Sequence, residues 1–97
     1  MITRDEYVQK LKTQLDQWNR EVTKWEEKTK AAQTKMKADY EKQLTAFRSR
    51  RDEAMNQLRQ VQAASGDAWT DLMRGADEAW SSMRDAFTKA RSHFEKK

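Results

Sequence analysis

From Val8 onward the apolar positions fall at Leu11, Leu15, Trp18, Val22 and Trp25, and the same rhythm runs on through Thr29, Ala32 and Met36. The steps alternate three and four without a slip, which marks the seam of a left-handed coiled coil. Trp18 and Trp25 therefore occupy equivalent seam positions. Past Met36 the spacing loosens: Tyr40, Leu44, Phe47, Arg51, Met55 and Leu58 form an eleven-residue pattern that unwinds such a supercoil. The chain contains no proline, and nothing between residues 3 and 63 breaks a helix. The pattern predicts one helix over about 3–64, roughly 90 Å long at ~1.5 Å per residue.

Its start is well marked. Thr3 followed by Glu6 is a capping box, with Ile2 and Tyr7 placed for a hydrophobic staple and Asp5 and Glu6 at the positive end of the helix dipole. A start this complete suggests that the mature chain begins here. The credible break is "AASGDAW": Gly66 suits a left-handed C-terminal position, and Asp67 or Ser65 can cap a new helix. A turn over about 65–67 then leads into a second helix over about 68–95. Its seam is Trp69, Met73, Ala76, Trp80, Met83, Phe87, Ala90 and Phe94, again alternating four and three. Anions come early and cations late, as the macrodipole favours. Gly75, inside this pattern, only weakens it.

The fold class expected is all-α, a single domain over 1–97. A long helix is followed by a shorter antiparallel one, and the hairpin associates as a coiled-coil or helical-bundle oligomer. The expected layers pair Met36 with Phe94, Leu44 with Phe87 and Phe47 with Met83, with Arg51 over the Trp80 ring as a cation–π pair. Such a hairpin covers only residues 36–62 of the long helix. It leaves a bare stripe of Val8, Leu11, Leu15, Trp18, Val22 and Trp25, a patch that monomers rarely expose. These six residues are the expected oligomer interface. The preferred form is an antiparallel homodimer pairing Val8 with Leu58, Trp18 with Phe47 and Trp25 with Tyr40; a parallel dimer and a tetramer of hairpins remain open. The alternative is a third intrachain helix, which requires a hidden bend near Ala31–Thr34.

Composition narrows the function classes. Four Trp, three Phe and two Tyr at regular positions argue against disorder despite the low mean hydropathy. Without cysteine there is no disulfide or thiol chemistry, and no segment approaches the ~20 apolar residues of a membrane span. A cytoplasmic protein is the simplest expectation. The net charge of +4 is concentrated in residues 34–66, where seven cations face four anions. Arg48, Arg50, Arg51 and Arg59 are the candidate phosphate contacts there, for nucleic acid, a ribosome or an anionic membrane surface. Asp52 and Glu53 interrupt them, and a solvated helix face is the favoured reading. No catalytic constellation, cofactor motif or metal-ligand spacing stands out, and His93, the single histidine, is read as a surface residue in a fraying last turn. The chain is expected not to be an enzyme.

Two stretches, "RDEYVQKLKTQLDQWN" (4–19) and "SGDAWTDLMRGADEAWSSMRDAF" (65–87), resemble the two ends of a family of short bacterial coiled-coil stress-response proteins. The similarity runs through nearly the whole chain. It implies a cytoplasmic, non-enzymatic bacterial protein acting as a stress-linked scaffold or protein-interaction module, with itself or another protein as partner. It supplies no site residues.

Overall fold

A computed structural model of the chain describes residues 2–95, which form three helices: α1 (Arg4–Ala31), α2 (Thr34–Ala63) and α3 (Ala68–Phe94). The fold is all-α. The single helix expected over 3–64 is two helices, parted at Ala32 and Gln33, both in extended backbone (φ −77°, ψ 151° and φ −69°, ψ 158°). No glycine or proline causes this break. It follows from burial: folding α1 back covers its seam, and each large apolar side chain removed from water is worth ~1.5–3 kcal/mol. Six such residues contribute about 10 kcal/mol or more, against a few helical hydrogen bonds at a net ~1 kcal/mol each. Burial wins over local propensity.

α1 and α2 run antiparallel, with Glu26 meeting Arg48 and Asn19 meeting Arg51. α2 and α3 do likewise, through Phe47 against Phe87 and Tyr40 against Phe94. α1 and α3 consequently run parallel. Three polar contacts between them, the Tyr7 hydroxyl beside the Met73 carbonyl, the Trp80 indole N–H on Gln14 and Lys28 on the Phe94 carbonyl, each link residues 66 apart. The α1 members stand at 7, 14 and 28, so the two helices keep one heptad register along their length. The molecule measures 52 × 18 × 17 Å.

The second half of α2 departs from the expected eleven-residue pattern. Ala54 and Val61 are fully buried and Met55 is only half-buried, so the inward positions run Tyr40, Leu44, Phe47, Arg51, Ala54, Leu58 and Val61. This is a heptad without a stutter. Fully buried Ala54, Ala76 and Ala90 are the small residues of the α2 and α3 faces, and they suit close backbone approach. The α2–α3 register also sits three residues from the expected one, because Phe87 packs on Phe47. Met36 lies outside the core at 52% exposure. Its expected layer with Phe94 is taken by Tyr40, whose ring centroid is 4.3 Å from that of Phe94.

The α1 start is as the sequence predicts at its cap: the Thr3 hydroxyl accepts from the Glu6 amide at 3.1 Å. Ile2 stays exposed, while Tyr7 turns inward onto the Trp69 ring. Gly66 takes the left-handed conformation (φ 56°), two residues beyond the last extended residue of α2's cap. Asp67 is the N-terminal cap residue of α3, but its side chain accepts no capping hydrogen bond; the Thr70 hydroxyl instead donates to the Asp67 carbonyl at 2.7 Å.

Candidate interaction surface

The six residues expected at an intermolecular seam all face the chain's own core. Val8, Leu11, Leu15, Val22 and Trp25 are buried, and Trp18 is half-buried against the same cluster. Their cover is α3. Trp18 stacks between Trp80 and Phe87, with centroids at 6.1 and 5.3 Å. Trp25 lies between Phe87 and Phe94 at 5.0 and 5.1 Å, its ring stacked almost parallel to that of Phe94. In the single chain the stripe makes intrachain contacts, because the bend at Ala32–Gln33 brings a third helix to it.

Polar side chains fix α1 at both ends. Arg4 donates to the Ala64 carbonyl at 2.5 Å, and Lys28 donates to the Phe94 carbonyl. Each places a cation on the open carbonyls at the C-terminal, negative end of a neighbouring helix. α2 has no basic residue in its own last turn, so Arg4 supplies that charge from α1. Between these ends the Tyr7 hydroxyl donates to Asp77 Oδ1 at 2.5 Å, and the Trp80 indole N–H donates to Gln14 Oε1 at 2.6 Å. Burial pushes the Tyr7 hydroxyl well above the usual phenol range, and the hydrogen bond to Asp77 and its negative charge push it the same way. Sequence reasoning missed Tyr7, Gln14 and Lys28 as contacts. Their spacing in multiples of seven along the flank of the seam was the available signal.

The four arginines do not converge on one patch. Arg48 reaches across to Glu26 of α1 at 3.1 Å, and Arg50, on another side of α2, pairs with Glu53 at 3.5 Å. Arg51 donates to Asn19 Oδ1 at 3.0 Å and lies over the Phe47 ring, not over Trp80. Arg59 donates to Asn56 at 3.1 Å. His93 is half-buried, its Nδ1 2.9 Å from Asp39 Oδ2, and joins the last turn of α3 to the second turn of α2. Open grooves line the helix junctions; the one between α2 and α3 is edged by Lys42, Arg50, Asp85 and Lys89 over Gln43 and Ala86. Among the described residues no helix is long and apolar enough to cross a membrane. No known family model, no characterised protein and no solved structure matches the chain.

Proposed function

We propose that the chain works by contact between proteins, as a non-enzymatic, self-associating helical module of the stress-linked scaffold kind that its sequence resembles. The observation that carries this reading is the nature of the α1 interface. It is made by α1 side chains in heptad register, with aromatic layers at Trp18 and Trp25 and hydrogen bonds at Tyr7, Gln14 and Lys28 to side chains and end carbonyls of its neighbours. An interface of this kind needs no covalent continuity between its two sides, so the same surfaces are self-complementary between copies. Sedimentation equilibrium over a micromolar to millimolar range tests it. The expected result is a concentration-dependent rise from the 11.5 kDa of one chain toward twice that mass. A single 11.5 kDa species across the whole range would sink the proposal.

A further inference from the structure

We infer that copies of this chain associate by exchanging α1: the bend at Ala32–Gln33 straightens, α1 and α2 become one helix, and α1 seats on the α2–α3 face of a second copy. The inference rests on the self-association proposed above and specifies its surface and its occupant.

Three observations at the hinge support it. Ala31, Ala32, Gln33 and Thr34 include no residue that opposes a helix, and both alanines favour one strongly. The α2 start is poorly made: Gln33 gives no side-chain cap, and the first turn holds no acidic residue. It holds Lys35 and Lys37 instead, cations at the positive end of a helix dipole. Lys28 and Lys30 do suit the end of α1, so the mismatch lies on the α2 side. Straightening joins the open amides of the first α2 turn to the open carbonyls of the last α1 turn, and satisfies both.

The occupant follows from the fold. Once the hinge opens, the α1 face carrying Val8, Leu15, Trp18, Val22 and Trp25 is exposed together with the α2–α3 face that covered it. The surface most complementary to each is the other, carried by a second copy. Every contact of α1 is then remade between chains, from Arg4 on the Ala64 carbonyl through Trp25 between Phe87 and Phe94. Two three-helix bundles form, joined by two continuous helices. The gain over two closed chains is the pair of repaired hinges, and the opposing term is the entropy of association, so the exchange is concentration-dependent.

The native chain has no cysteine, so spin labels can be placed at Lys12→Cys and Gln60→Cys, both exposed positions. The doubly labelled chain is diluted into unlabelled chain at high concentration, unfolded and refolded to equilibrium, and the intrachain distance is measured by pulsed electron resonance. A closed chain gives about 20 Å, the reach of two labels across neighbouring helices. A straightened hinge gives about 70 Å, from 48 residues at ~1.5 Å each. The expected result is a dimer in which the long distance grows with concentration. Gln33→Pro should remove it. The backbone at Gln33 (φ −69°) and the extended Ala32 before it accept proline in the bent form, whereas a helix interior does not. The dimer association constant should fall by at least about a hundredfold. Gln33→Asp, which adds a cap to α2, should weaken dimers in the same direction without any backbone constraint. A dimer that keeps only the short distance and tolerates Gln33→Pro would overturn helix exchange while leaving self-association standing. A chain that stays monomeric throughout would overturn both.

Discussion

Trp25 and Met36 belong to one apolar rhythm in the sequence, yet their fates differ. Trp25 is 3% exposed between two phenylalanines, and Met36 is 52% exposed just past the bend. Trp25→Ala should destabilise the folded chain by ~3–5 kcal/mol, as large-to-small changes in packed aromatic sites do. Met36→Ala should change stability by no more than ~0.5 kcal/mol. Chemical denaturation followed by circular dichroism distinguishes the two; similar losses at both would mean that the first turn of α2 is packed. Tyr7 gives a second test at this scale. Its hydroxyl is raised above the free-chain value of ~10, so the unfolded chain releases that proton first. The stability it contributes is complete below pH ~10 and drains away as pH climbs from there toward the folded-state value. Tyr7→Phe should flatten the alkaline limb of the stability curve, and urea titrations between pH ~9 and ~11.5 would register it. An unchanged limb in the variant would remove Tyr7 as its cause.

Among the elements, the two glycines should behave in opposite ways. Gly66 has φ 56° and open space around the position of a side chain, so Gly66→Ala meets no clash and carries only the backbone cost, about 1 kcal/mol. Gly75 sits inside α3, where the nearest obstacle to a methyl group is Gln57 Oε1 at 3.0 Å, the free tip of a flexible side chain. Gly75→Ala should therefore stabilise the chain by about 0.5–1 kcal/mol. Thermal melts that moved the same way for both would contradict this assignment. α3 was the most legible element, because its strong amphipathic contrast places each of Trp80, Met83, Phe87, Ala90 and Phe94 on the buried face that the spacing predicts. The α1 stripe was legible as a stripe, but not what covers it. The break at Ala32–Gln33 leaves no local signal, since it is imposed by packing on residues that favour helix. In α2 the choice of Met55 over Ala54 followed side-chain size, whereas the α2 face carries a small residue there. The arginines read as one cluster because they are close in sequence. A helix rotates near neighbours such as Arg48 and Arg50 to different sides, and one of them reached an acidic partner on α1.

At the scale of the whole molecule, the three helices are nearly equal in length and lie side by side. The Cα radius of gyration is 15.5 Å, above the ~13 Å of a compact chain near this length. Small-angle scattering at low concentration should give a value close to this, slightly raised by side chains and hydration. An unbent helix over 3–64 approximates a rod of ~90 Å, whose radius of gyration is about 26 Å. Scattering therefore separates the bent chain from the unbent one without any label. Surface charge pairs contribute little at this scale. Arg48 and Glu26, each 42% exposed, form the ion pair that links α1 to α2, and Arg48→Ala should shift the melting midpoint by no more than a few degrees.

The parallel run of α1 and α3 also decides how the molecule would carry a load. Residue 4 lies beside the α2–α3 turn through the bond from Arg4 to Ala64, and Phe94 lies at the far end beside Lys28 and Tyr40. The two ends of the described chain thus emerge from opposite tips of the rod. Tension applied between them pulls α1 and α3 lengthwise past one another, so the aromatic layers must slide together and cannot peel apart one at a time. A strut drawn from its tips resists in shear. Tandem copies fused end to end would transmit force along a single axis, each link yielding in one abrupt step under a steady pull.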